Sequence, residues 1–249
     1  MKIYVIGKTQ ADLFPYMGDS RRVMPGKADG SAFEARHKGM VKGFPDTASE
    51  GEALIEFAGR LCYESFDMPN PKTATRAGYI ANILMQNHES VLEHVSVTFY
   101  VEGVSRNLSH ELIRHRHLSF SELSQRYVNM EEANYIVPPA WRQGIGGDSI
   151  PLSDCSIDHA QRYRENVEGD LDAGLTRKQA REAARYSLPA GTETKFVVTG
   201  NLRAWRDVLK KRDSKFADAE MQLFAKEVKR QLGELYPNAL GDLHEGGSS

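Results

Sequence analysis

The stretch VSVTFYVEGVSRNLSHELIRHRHLSFSELSQRY, residues 95–127, decides the fold class because it asks for two geometries in succession. Val95, Val97, Phe99 and Val101 recur at every second position, which places them on one face of a half-buried strand. Residues 105–115 then predict a helix. RHRHLSFSELSQR, residues 114–126, is polar and has too little periodicity for an ordinary core element. A strand that runs at once into a helix, followed by a polar segment, already argues against an all-helical or all-β chain.

Working upstream, Ser49 and Glu52 have capping-box spacing, and Leu54, Phe57, Ala58, Leu61 and Cys62 recur at helical intervals, so a helix is expected with Cys62 on its buried stripe. A second helix is expected over residues 73–86, with Ala77, Ile80, Ala81, Leu84 and Met85 inward. Residues 18–50, rich in Gly, Asp, Ser, Pro and basic side chains, read as a surface loop and a candidate lid. Downstream, residues 134–137 (NYIV) read as a short strand, 138–154 as a loop, and 157–172 as a helix carrying Ile157, Ala160, Val167 and Leu171. Thr176 and Gln179 form another capping-box pair, and Pro189 stops that helix near Leu188. Residues 194–199 predict a strand, and Asn201 an N-cap for a helix that turns Leu202, Trp205 and Leu209 inward. Met221, Phe224, Val228, Leu232 and Leu235 mark a long last helix, and residues 241–249 read as a frayed tail. Strands separated by helices of varied order predict an α+β fold over a single domain, 1–249, rather than a doubly wound sheet.

The composition limits the partners. With 249 residues and 40% hydrophobic content the chain can bury a sizeable core. Lys+Arg 32 against Asp+Glu 34 gives a net charge of -2, so the molecule as a whole has no strong pull toward nucleic-acid polymers or anionic membranes, and an anion site must be local. The opening MKIYVIGKTQADLF fits a first strand better than a secretion signal, and no apolar stretch approaches transmembrane length. Two cysteines, Cys62 and Cys155, are too few for a disulfide framework, which suits a cytoplasmic protein.

The chemistry concentrates in residues 114–126, where three arginines and two histidines stand with Ser119, Ser121, Ser124 and Glu122. Guanidinium groups and hydroxyls supply the donors a phosphate ester needs. Taken alone, the ordinary reading is a solvated helix face making weak ion pairs. His110-Glu111 begins like a zinc-protease helix, but Arg114 stands where the second histidine is required, and no metal site is expected. Neither cysteine reads as an activated nucleophile: Cys62 falls on an apolar stripe, and Cys155 lies beside Asp154 and Asp158. GxSxG, GxGxxG and Walker A patterns are all missing, so any dinucleotide is held without a Rossmann turn.

Residues 114–126 read as RHRxxSxxxxSxR, and Arg114, His115, Arg116, Ser119, Ser124 and Arg126 fill every fixed position of the signature of the flavin-dependent (ThyX-type) thymidylate synthases. The chain resembles that family over residues 52–235, through FAGRLCYES, NPKTAT, SVLEHVSVTFY, RKQAREAARYSLP and TETKFVVTGNLRAWRDVLKKR. The resemblance implies a ThyX-like α+β fold, with a central, mostly antiparallel sheet flanked by helices, assembled as a homotetramer with active sites shared between subunits. It implies reductive methylation of dUMP to dTMP, with tightly bound FAD, NADPH as reductant and 5,10-methylenetetrahydrofolate as carbon donor, and no cysteine nucleophile.

Carried over by position, Ser90, His94, Arg114, His115, Arg116, His117 and Glu122 correspond to FAD contacts, as do Asn201, Leu202, Arg203 and Asp207. Asp207 departs from the family, which is expected to have a histidine there. The nucleotide site corresponds to Glu111, Leu112, Ile113 and Arg114, then Glu122, Leu123, Ser124, Gln125 and Arg126, with Arg185 and Arg212. Ser124, Arg126 and Arg185 are the implied phosphate holders. Arg212 is the implied catalytic residue, facing the uracil ring, and the ordinary alternative for it is an ion pair with Asp213 or Asp218. His94 could otherwise be a satisfied core histidine, and Arg185 a solvated helix residue.

Overall fold

The computed structural model describes residues 1–11, 50–63, 65, 70–142, 147–155 and 157–245. The candidate lid over 18–49 and the cap at Ser49 lie outside these residues. The chain gathers into two compact units, each drawn from three separated segments. Among the described residues no helix is long and apolar enough to cross a membrane.

The first unit comprises Met1–Ile6, Thr98–Thr199 and Val208–Val228 and carries the main sheet. Four strands, β1 (Lys2–Lys8), β2 (Ser96–Ser105), β3 (Ser119–Glu122) and β6 (Glu193–Asn201), lie in the order β1-β2-β6-β3, and the fold is α+β with a mostly antiparallel sheet flanked by helices. The alternation expected of residues 95–101 holds: Val95, Val97, Phe99 and Val101 are all fully buried. Each such side chain contributes roughly 1.5–3 kcal/mol by leaving water.

β2 passes directly into α3 (Arg106–Leu112), four residues shorter than the expected helix, whose N-cap is Ser105. β3 was not expected at all, since its four residues alternate exposed and half-buried; it exists because it pairs antiparallel with β6, Ser119 opposite Thr199 and Glu122 opposite Phe196. A second small sheet pairs β4 (Asn134–Ile136) with β5 (Ser149–Pro151), which corrects the loop expected over 138–154.

Helices α4 (His159–Asp172) and α5 (Arg177–Ala184) pack together, and α5 opens with the expected capping box of Thr176 and Gln179. Tyr163, Ala184 and Met130 form a small core against which Leu123, Val167 and Leu188 pack. Ile157 and Leu171, expected inward, are 59% and 38% exposed, because Ala160 and Tyr163 make the buried stripe of α4.

The second unit comprises Gly7–Val97, Gly200–Asp207 and Lys229–Ser249. It contains α1 (Glu50–Cys62), α2 (Arg76–Met85) and α8 (Pro237–Glu245). The boundary between the units falls inside α6 (Leu202–Arg212) and α7 (Ala219–Leu235).

α1 exists where expected but turns a different face inward. Ala53, Ile55, Glu56, Gly59 and Arg60 are buried, while Leu61 and Cys62 are exposed, so Cys62 is not on a buried stripe. The cause is a paired polar core: Arg60 donates to Glu56 at 2.9 Å and to the Thr73 carbonyl at 2.7 Å, and its guanidinium lies 4.4 Å from the Tyr79 ring centre. Glu52, fully buried, caps α8 by accepting from the amides of Asn238 and Ala239 at 2.8 and 3.0 Å. Satisfied charges like these are invisible to a reading that puts only apolar residues inside.

α2 likewise buries Tyr79, Ile80 and Ile83, leaving Ala77, Ala81 and Met85 exposed. Asn201 caps α6 as expected, accepting from the Ala204 amide at 2.8 Å, and Leu202, Trp205 and Leu209 are buried. Pro237 at the first turn of α8 separates it from α7. That helix carries the chain through Glu245, beyond the point where the frayed tail was expected; residues 246–249 lie outside the described ones.

Candidate active site

In the first unit, α3, β3 and the turns between them build the site from one continuous stretch. Leu112 and Leu118, fully buried and 8% exposed, pin the two ends of the connection. Between them the backbone makes tight turns, His115 N to Leu112 O at 3.0 Å and Leu118 N to His115 O at 3.0 Å. Ile113, Arg114, Arg116 and His117 are thereby forced outward, and His115 is half-buried. RHRH is therefore a pair of turns rather than a helix face.

Arg114, Arg116 and Arg126 are exposed, as the ordinary reading has them, but they stand on turns rather than on a helix face. Among the described residues Arg114, Arg116, Arg126 and Arg185 enter no ion pair, whereas Arg106, Arg164, Arg203, Arg206 and Arg212 each do. A guanidinium group without a counter-charge among the described residues is open to an external anion.

α5 docks beside the end of this stretch. Arg181 donates to the Tyr127 carbonyl at 2.5 Å, and the Lys178 ammonium lies 5.5 Å from the Tyr127 ring centre. Arg185, one helical turn beyond Arg181, is half-buried at the start of the 3-10 turn Arg185–Ser187. Ser124 accepts from the Tyr127 and Val128 amides through its carbonyl at 3.2 and 3.0 Å, which closes the turn that presents Gln125 inward and Arg126 outward.

Two carboxylates are tied to the scaffold. Glu122 accepts from Ser109 and Thr194 hydroxyls, both at 2.9 Å, and pairs with Arg106 at 3.2 Å. Glu111 pairs with Arg212 at 3.0 Å, and Arg212 Nε donates to His115 Nε2, also at 3.0 Å. The partner of Arg212 is thus Glu111, neither Asp213 nor Asp218. A small cavity of 90 Å³ on the other side of Glu111 is lined by Asp218 and Glu220 as well, and its acidity makes it unsuitable for a phosphate.

In the second unit a cleft of 550 Å³ is lined by Gly59, Tyr63, Tyr79, Asn87, Ser90 and Arg203, among others. Its size suits a ring system of a cofactor. Ser90 and Arg203, two of the sequence-derived positions, fall in it; His94 is exposed, so it is not a core histidine. Arg203 pairs with Glu93, Asn201 spends its Oδ1 on capping α6, and Asp207 is half-buried. The side chains of Leu112 and Leu202 are fully buried, which leaves them only backbone atoms to offer a ligand; the Leu202 amide already donates to the Val95 carbonyl.

Sequence reasoning missed Arg106, Ser109 and Thr194 as the holders of Glu122, and Tyr63, Tyr79 and Asn87 as cleft residues. Only Asn87 left a trace: φ of 56° is a conformation asparagine tolerates, and it follows directly on α2.

Cys155 offers no nucleophile. Burial, with Asp154 and Asp158 adding to it, pushes its thiol above the ordinary range.

An α+β scaffold thus turns Arg114 and Arg116 outward from two tight turns and holds Arg212 between a glutamate and a histidine, the donor chemistry of an anion-binding protein. Comparison with known proteins gives this class a family. The model of the thymidylate synthase complementing protein family matches residues 45–238. Flavin-dependent thymidylate synthases of Mycobacterium avium (47% identical over 201 residues) and Mycobacterium tuberculosis (47% over 203) are similar to the chain, each match covering 78% of this chain and 80% of the relative. That of Mycobacteroides abscessus is 46% identical over 201 residues. The chain belongs to this family of flavin-dependent thymidylate synthases.

Proposed function

We propose that the chain converts dUMP to dTMP by flavin-dependent reductive methylation, with 5,10-methylenetetrahydrofolate as carbon donor and NADPH as reductant. The observation that carries this reading is the set of signature arginines Arg114, Arg116 and Arg126, with Arg185, standing free of ion pairs among the described residues of a chain that matches the family over 45–238. Ser124, Arg126 and Arg185 hold the nucleotide phosphate, supplying charge-assisted donors. Leu112, Ile113, Arg114, Glu122, Leu123 and Gln125 frame the rest of the nucleotide, and Glu111 serves it through Arg212.

Two sets of residues would contact FAD: Ser90, His94 and Arg203, with Asn201 offering its amide nitrogen, in the second unit, and Arg114, His115, Arg116 and His117, on the turns of the first. The cleft lined by Ser90 and Arg203 fits a planar ring, because Tyr63 and Tyr79 stand in its wall. Held by these residues and reduced by NADPH, FAD would supply hydride chemistry for completing the methyl group.

The protein's own part is electrostatic. Arg212 places positive charge against the uracil edge and favours its ionised form, and no thiolate is required. Cys155 is held as the thiol, and Cys62 donates to the Ala58 carbonyl of its own helix. The enzyme acts as a cytoplasmic homotetramer with sites shared between subunits.

Thymidylate formation measured with and without each of FAD, NADPH and methylenetetrahydrofolate tests the reading. Product that depends on all three, survives Cys62→Ala and falls sharply with Arg212→Ala is expected. Nucleotide binding without any thymidylate would remove the reaction from this scaffold.

A further inference from the structure

We infer that Glu111 is a positioning residue which, with His115, sets the orientation of the Arg212 guanidinium; the inference rests on the proposed role of Arg212 at the uracil. A guanidinium carries five N–H donors in a rigid plane. Nε donates to His115 Nε2 at 3.0 Å, Nη1 to Glu111 Oε2 at 3.0 Å, and Nη2 to the Glu111 carbonyl at 3.4 Å. Among the described residues one N–H on each terminal nitrogen therefore has no protein partner. Uracil that has lost the N3 proton gains negative charge and an acceptor where neutral uracil has a donor, so a donor held in place there favours the ionised form. A guanidinium pinned on three of its five donors keeps its remaining N–H groups in fixed directions, and one that swings freely does not.

Stability does not account for the contact. The two side chains are 22% and 37% exposed, and ion pairs so open to water contribute about 0–1 kcal/mol. What the pair supplies is direction. His115 contributes as an acceptor through its Nε2. Glu111 itself is fixed by α3, whose start is nailed down by Ser105: the Ser105 hydroxyl accepts from the Leu108 amide at 3.2 Å and donates to Glu220 at 2.5 Å.

The test compares wild type with Glu111→Ala, Glu111→Gln, Arg212→Ala and the double variant Glu111→Ala/Arg212→Ala, each with FAD bound. Glu111→Ala is expected to lower kcat about ten- to a hundred-fold, the usual effect of removing a charged hydrogen-bond partner. KM for dUMP should rise by a smaller factor. Glu111→Gln, which keeps a carbonyl acceptor of the same length, recovers most of kcat. In the Arg212→Ala background Glu111→Ala has no further effect, since a residue acting through another adds nothing once that other is gone. Losses that multiply would overturn the inference, because Glu111 would then act on the nucleotide by itself.

A readout without substrate separates this from the proposed function. The nitrogen-15 resonance of His115 Nε2 reports the Arg212 donor, and Glu111→Ala should shift it while Glu111→Gln leaves it near the wild-type position. An unmoved signal sinks the inference even if thymidylate forms. Wild type that binds no dUMP sinks the proposed function, and the His115 signal still decides whether Glu111 holds the guanidinium.

Discussion

Tyr236 shows how a single buried group fixes the response to alkali. Its side chain is 2% exposed and, among the described residues, its hydroxyl has no hydrogen-bond partner. Burial, reinforced by the Glu52 carboxylate, raises the phenol above its ordinary value of 10.0. A proton held more tightly in the folded state favours folding fully below the unfolded value, and that contribution is lost as pH rises through the folded one. Tyr236→Phe removes the orphaned hydroxyl, and we expect it to stabilise the protein by about 1 kcal/mol at neutral pH. Above pH ~10 it should also flatten the decline of the melting temperature, and a thermal melt series from pH 8 to pH ~11 checks both. At the same scale, Cys62→Ala and Cys155→Ser should each leave thymidylate formation within about two-fold of wild type, because neither substitution removes a large buried contact. A ten-fold loss in either would restore a thiol to the mechanism.

Among the elements, α3 is the one on which the site depends, and Ser105 is its weak point. Ser105→Ala deletes the N-cap and leaves a buried Glu220 oxygen without its 2.5 Å partner. Losing the cap alone costs about 1 kcal/mol, and the stranded carboxylate adds about as much again. Ser105→Thr, which keeps the hydroxyl, should recover most of the loss in a urea titration.

The elements also show what was legible in the sequence. β2, the capping box of α5 and the Asn201 cap of α6 were readable because each is specified by residues close together in the chain. β3 was not, because four residues of which three are polar and none is fully buried become a strand only through β6, more than seventy positions later. The inward faces of α1 and α2 were misread for a related reason. Glu56 and Arg60 are buried by virtue of each other, and Tyr79 by virtue of Gly59, where a Cβ would meet its hydroxyl at 2.5 Å. Of the candidate site, the arginines were legible as a composition and the family signature gave their roles. That Arg212 answers to Glu111 and His115, a hundred residues upstream, required the fold.

The two units are threaded through one another in sequence. The chain visits them in six alternating segments, three each, and therefore passes between them five times. Neither can be released as a contiguous fragment, and two of the passages lie inside the helices α6 and α7. A single unfolding transition is expected, with calorimetric and van't Hoff enthalpies in agreement. Two resolved heat-absorption peaks would show the units to be independent. The same threading bears on how the protein is made. The first unit needs Val208–Val228 as well as Met1–Ile6, so it stays incomplete until those helical residues have been made, although β1 finds its sheet neighbour β2 earlier. An unfinished unit leaves apolar side chains without their native cover, the condition under which a nascent chain engages chaperones.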